Sequence, residues 1–173
     1  MTEPDTADLR SGAPIHESLL ALLPLVGVWT GAGNGVAPDG HEFAFGQRIS
    51  FVHDGRPFLA YESRAWLVDA DGAVVRQAWR ESGFWRLGAG QDDLEVVLAA
   101  NTGEALVYTG VAGDQRWEIS TVSAQGTPTA KVIDAERRLY ALVDDALVYA
   151  SELAPHGRPL AAHLNARLTR VRS

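Results

Sequence analysis

From Val28 onward, short runs rich in β-branched, aromatic and aliphatic residues recur at nearly even intervals, each closed by a turn signal. The runs VWTGAGNGV, HEFAFGQRISFVH, RPFLAYESRAWLV, AVVRQAWRE, GFWRLG, DLEVVLAA, EALVYTGVA, RWEISTVS, AKVIDAERRLYALV, ALVYASELA and RPLAAHLNARLTRV read as strands. Between them stand HDG, DADG, GAGQDD, NTG, AGDQ, QGTP, DD and PHG. Aspartate or asparagine before glycine is hairpin chemistry, because glycine takes positive φ at little cost. Roughly ten strands with no helix-period segment between them predict an up-and-down antiparallel sheet. A sheet of that length closes or folds on itself to hide its edges. The expected fold class is therefore all-β, a closed antiparallel barrel of about ten strands, with a two-sheet sandwich as the second choice. Strands such as FLAYESRAWLV and AKVIDAERRLYAL mix polar and apolar residues on both faces, which favours a cavity over a solid core.

Before the first strand, IHESLLALLPLVG is the one helix candidate, with Leu19, Leu20, Leu22 and Leu23 forming a short amphipathic turn or two that Pro24 should end. Residues 1–14 are small, charged and turn-forming, and are expected to be a disordered tail ahead of one barrel domain over 15–173.

Composition narrows the chemistry. The 173 residues suit a single domain with its own core. With 15 Lys plus Arg against 22 Asp plus Glu, the net charge of −7 argues against a nucleic-acid partner. The absence of cysteine excludes disulfides, thiolate-bound zinc, iron–sulfur clusters and thiol nucleophiles. The start of the chain has no apolar core of signal-peptide length, and no run has the ~18 apolar residues of a membrane helix. These features predict a cytoplasmic protein with no membrane partner.

Two motifs carry the functional reading. Gly27-x-Trp29-x-Gly31-x-Gly33 opens the first strand. Glycines so closely spaced weaken a strand unless the chain must bend or something must come close, and Trp29 is large enough to plug a barrel end. No lysine follows and no helix begins there, so this is not a phosphate loop. The closing run PLAAHLNARLTR places His163 in a strand with no second ligand or nucleophile beside it.

Together with FVHDGRPFLAY, RESGFWRL and PTAKV in the same order, these segments resemble the nitrobindins, whose GxWxGxG signature opens a ten-stranded barrel. The likeness covers all but the first fourteen or so residues. It implies one solvent-accessible heme b per chain, isomerisation of peroxynitrite to nitrate at a ferric iron, binding of nitric oxide, and a possible homodimer. His163 matches the family's proximal histidine in PLxxHLxAxLxR, along with Pro159, Leu160, Leu164, Ala166, Leu168 and Arg170. One imidazole suffices for iron that a macrocycle already holds by four bonds. Lys131 matches a position near the heme and is a candidate partner for a propionate, with a solvated strand lysine as the plain alternative. Asp39 falls where many relatives carry a threonine near the heme, and Ala37 where they carry tyrosine. Leu153 stands where relatives often have methionine.

Strict alternation puts His163, Asn165 and Arg167 on one face and Leu164, Ala166 and Leu168 on the other. If His163 points inward, Leu164 and Leu168 should be covered from outside the barrel, by LLALLPLV or a second copy. The remaining histidines, His16, His41, His53 and His156, are weaker candidates, with His156 near the pocket rim. A heme-free carrier of a fatty or other apolar ligand is the alternative function. It would need an inward arginine, for which Arg64, Arg137 and Arg167 are the candidates.

Overall fold

The computed structural model describes residues 5–172. Ten strands follow one another as β1 (Gly27–Val36), β2 (Glu42–Val52), β3 (Leu59–Val68), β4 (Val74–Leu87), β5 (Asp93–Ala100), β6 (Glu104–Gly113), β7 (Arg116–Gly126), β8 (Ile133–Val143), β9 (Ala146–Pro155) and β10 (Ala161–Arg170). Each pairs antiparallel with the next, and β1 pairs with β10 to close the barrel. The all-β barrel expected from the strand spacing is the fold. AVVRQAWRE and GFWRLG prove to be one strand, β4, because Gly83 sits within the ladder opposite Leu98 and makes no turn.

The turn chemistry works as the sequence suggests. Asp144 and Asp145 both adopt positive φ, 51° and 61°, between the paired ends Val143 and Ala146 of β8 and β9. That is the backbone of a two-residue hairpin whose twist matches the strands it joins.

The closing seam explains the glycine motif. On β1, Gly31 pairs with Leu168 and Gly33 with Ala166. A Cβ on Gly31 would collide with the Arg167 carbonyl, and one on Gly33 with the Asn165 carbonyl and the Phe45 ring. Only glycine lets β10 wrap so closely over the coiled first strand.

A 3₁₀ helix, Glu17–Leu25, plugs one end of the barrel. Pro24 lies inside its last turn and does not end it. Leu19, Leu22 and Leu25 are fully buried beneath the barrel, each worth on the order of 2 kcal/mol in removed apolar surface. Two indoles fix the plug: Trp29 Nε1 donates to the Leu25 carbonyl at 2.9 Å, and Trp117 Nε1 to the Ala21 carbonyl at 2.8 Å. Over the segment expected to be a tail, Thr6 exchanges two backbone hydrogen bonds with buried His53, at 2.8 and 3.0 Å. Among the described residues no helix is long and apolar enough to cross a membrane.

The last residue of β10 locks the plug to the seam. The Arg170 guanidinium lies 4.1 Å from the Trp29 ring centroid and donates to the carbonyls of Pro24 (2.8 Å) and Val26. Arg170→Ala removes a cation–π contact and two charge-assisted hydrogen bonds together. The expected loss is about 2 kcal/mol of unfolding free energy, measured by urea denaturation. A midpoint equal to that of the parent would show that the clamp is idle.

Candidate functional site

The unplugged end opens into a cavity of about 620 Å³, within the range of small-molecule and cofactor sites. Its upper wall is apolar, built from Phe43, Leu67, Trp79, Leu106, Ile133 and Leu153. Phe43, Leu67, Trp79, Leu106 and Leu153 face inward through the two-residue side-chain period of their strands, and Ile133 through the register shift between it and Ala135. Trp79 packs edge-on against Phe45 with ring centroids 4.9 Å apart, which holds the indole as part of the wall.

His163 reaches this cavity through a break in alternation. On β10 the pairing with β9 steps from Ala162–Glu152 directly to Leu164–Ser151, so His163 is the extra residue of a β-bulge. The bulge re-aims its ring, and both His163 and Leu164 line the cavity. The strict alternation expected for this strand is therefore corrected. Leu164 packs on the core and Ala166 and Leu168 are buried inside the barrel, whereas Asn165 and Arg167 are exposed. No cover from outside is needed for the leucines. The β1–β10 backbone pairing ends at Gly35–Leu164, and one residue further His163 Nδ1 lies 2.9 Å from the Val36 carbonyl. A carbonyl oxygen only accepts, so Nδ1 carries a proton and Nε2 is the nitrogen left for a metal.

The cavity floor is a buried polar belt. Arg138 donates to both oxygens of Glu81, at 2.6 and 2.9 Å, and to Glu136 Oε2 at 3.0 Å. Tyr61 donates to Glu81 at 2.8 Å and Tyr108 to Glu136. Tyr149 donates to Gln47 Oε1 at 2.6 Å, and Gln47 Nε2 to Ser63 at 2.9 Å. Burial opposes the charge on Glu81, but Arg138 and the Tyr61 hydroxyl overcome it and hold the carboxyl below the usual range. Burial pushes the phenols of Tyr61, Tyr108, Tyr140 and Tyr149 up, so they stay protonated, and Tyr61, Tyr108 and Tyr149 act as donors.

The chain matches the model of the THAP4-like, heme-binding β-barrel domain over residues 18–170. The chain belongs to this heme-binding barrel family. Among curated relatives, the peroxynitrite isomerase of Salinispora arenicola is 43% identical over 171 residues, covering 96% of this chain and 87% of that protein. The peroxynitrite isomerase of Streptomyces griseus is 46% identical over 168 residues, covering 94% and 89%. The crystal structure of Rv2717c from M. tuberculosis superposes with a TM-score of 0.80 at 32% identity, over 91% of this chain and 99% of that one.

The site residues fit the family's cofactor. An apolar slot of about 620 Å³, an imidazole with its Nε2 free, and no cluster of three His, Cys, Asp or Glu among the described residues suit a macrocycle-held iron better than a bare ion. Lys131 lines the cavity at its exposed rim, with Arg76 and His41. Asp39, expected among the cofactor-binding residues of this heme-binding barrel, does not line the cavity. Its carboxylate caps its own turn by accepting the His41 N–H at 2.9 Å, in solvent. Gly27, Trp29, Gly31 and Gly33 are likewise absent from the cavity wall and serve the plug and the seam. His16 caps the 3₁₀ helix, and exposed His156 pairs with Asp134 at 3.0 Å outside the cavity.

The residues missed from the sequence are those of the belt. Glu136, Arg138 and Tyr140 alternate along AERRLYAL and so share the inner face. The signal was there, but the neighbouring arginine confused it. Arg64, Arg137 and Arg167 all point outward, with Arg137 bound to Glu118. The inward arginine, Arg138, is already occupied by two carboxyl groups, which leaves a fatty acid carboxylate no free cation on the floor.

Arg138→Met should cost about 3–5 kcal/mol in urea unfolding, because two buried carboxyl groups lose their cation. A loss below about 1 kcal/mol would contradict a shared network. The depressed folded value of Glu81 also fixes a pH dependence. Its stabilisation is fully present above the ordinary glutamate value of 4.5 and is lost as pH falls through the lower folded value. Glu81→Gln should therefore flatten the acid limb of the stability curve, followed by circular dichroism.

Proposed function

We propose that this chain binds heme b through His163 Nε2, one heme per chain, and isomerises peroxynitrite to nitrate, with nitric oxide as a further ligand of the same iron. The observation that carries the reading is the His163–Val36 hydrogen bond at the bulge. It fixes the tautomer and leaves one nitrogen available beside an apolar slot. Relatives at 43–46% identity are named peroxynitrite isomerase, which supports the same reaction here.

Heme held in this way would supply a Lewis-acidic iron to an oxidant or gas entering the cavity. The chain's own residues do the rest. Val36 holds the imidazole in one orientation. Phe43, Leu67, Trp79 and Leu153 give the slot an apolar lining, which strengthens electrostatic interactions beside it. Lys131 and Arg76 put positive charge at the rim, suited to carboxylates at the mouth and to drawing in an anionic substrate. Peroxynitrite anion and nitrate differ by no proton, so no side-chain acid or base is invoked.

A homodimer belongs to the same reading. Outward Phe84, Val97 and Val107 are direct neighbours across β4, β5 and β6 and are 49%, 48% and 38% exposed, an apolar row that a second copy could cover.

Hemin added to the purified protein should produce a Soret band that His163→Ala abolishes, and loaded protein should raise the rate of nitrate formation from peroxynitrite above that of free hemin. A spectrum unchanged by the substitution would refute His163 as the ligand. A rate equal to free hemin would reduce the function to binding.

A further inference from the structure

The chain contains four tyrosines, and all four lie in the buried belt, each no more than 6% exposed. Tyr61, Tyr140 and Tyr149 face the cavity. Their rings are joined through one indole: Tyr149 to Tyr140 at 5.4 Å between centroids, Tyr140 to Trp85 at 5.2 Å, and Trp85 to Tyr61 at 6.1 Å. Rings this close exchange electrons readily. Where an oxidised ring settles depends on whether its proton has somewhere to go, since a phenol radical cation is a strong acid.

The belt answers that question differently at each ring. Trp85 Nε1 is buried with no hydrogen-bond partner among the described residues. The Tyr140 hydroxyl accepts from Arg138 at 3.4 Å and donates to no acceptor among the described residues. Tyr149 donates to an amide oxygen, a weak base. Only Tyr61 and Tyr108 donate to carboxylates. Tyr108 does not line the cavity, and the Arg138 guanidinium sits 5.4 Å over its ring, where positive charge opposes oxidation.

We propose that the belt is an oxidation sink for the cavity: a one-electron oxidant formed there takes an electron from a cavity-facing tyrosine, and the hole comes to rest on Tyr61. This rests on the peroxynitrite reading, because homolysis of the O–O bond of peroxynitrous acid supplies nitrogen dioxide, the oxidant in question, with hydroxyl radical as the other fragment. Nitrogen dioxide gains one electron and becomes nitrite. Tyr61 loses that electron, and its hydroxyl proton moves along the 2.8 Å hydrogen bond to Glu81 Oε1. The sum is nitrogen dioxide, phenol and carboxylate giving nitrite, phenoxyl and carboxylic acid, with charge and protons conserved. Arg138 remains paired with Glu136 throughout. The sink keeps oxidising equivalents that escape isomerisation away from the cavity wall and the imidazole.

The test is freeze-quench electron paramagnetic resonance of hemin-loaded protein mixed with peroxynitrite. A tyrosyl signal is expected, narrowed when the protein is grown on ring-deuterated tyrosine. Tyr61→Phe should lose most of that signal, whereas Tyr149→Phe should retain it. In protein whose Soret band confirms bound hemin, the sink is overturned by absence of a tyrosyl signal, by a signal that deuterated tyrosine does not narrow, or by one that survives Tyr61→Phe. The narrowing is read in the unsubstituted protein and does not depend on the variants folding. Failure to form the Soret band would overturn the heme reading and the sink with it.

Discussion

The pairing of the first strand with the last is the constraint on which the barrel and its site both depend. It closes the sheet, so that no edge remains, and it does so at a distance only glycine allows, with Gly31 and Gly33 lying against the β10 carbonyls. At one end of this seam Arg170 ties the strand to the helical plug. At the other the backbone pairing stops, and the side chain of His163 takes the place of a main-chain donor to the Val36 carbonyl. Closure and ligand orientation are thus two ends of a single interface.

The interior is layered along the barrel axis, and each layer has a distinct chemistry. Leucines and indoles fill the plugged end, where dense apolar packing favours the fold. The belt of Glu81, Glu136, Arg138 and the tyrosines lies across the middle, and it persists because its donors and acceptors are largely matched. Above it the apolar slot is left unfilled. A polar floor under apolar walls is an expensive arrangement if only stability were served, since a hydrophobic belt of equal volume would hold the barrel at least as well.

Much of this was legible in the chain. The spacing of turn residues gave the strand number, and the hairpins at Asp144–Asp145 and near Gly72 and Gly103 follow from residues that tolerate positive φ. His163 and Lys131 were legible only through resemblance, and the cavity receives both. What alternation misread was β10, because a bulge shifts the inside–outside pattern by one residue and leaves no mark in local composition. The belt was hidden for a different reason. Adjacent Arg137 and Arg138 obscure the alternation of Glu136, Arg138 and Tyr140, and the partner on the far wall, Glu81, lies far away in sequence on β4. Asp39 was misplaced because a turn residue can satisfy its own backbone.

The plug has a kinetic consequence. With Leu19, Leu22, Leu25 and Trp29 sealing one end, the barrel is a cul-de-sac and not a tunnel. Whatever enters past Lys131 finds no exit through the plugged end, so arrivals and departures both use the open end. Turnover in such a vessel is governed by how briefly each visitor stays, and a shallow, loosely held berth near the threshold serves it better than a deep one.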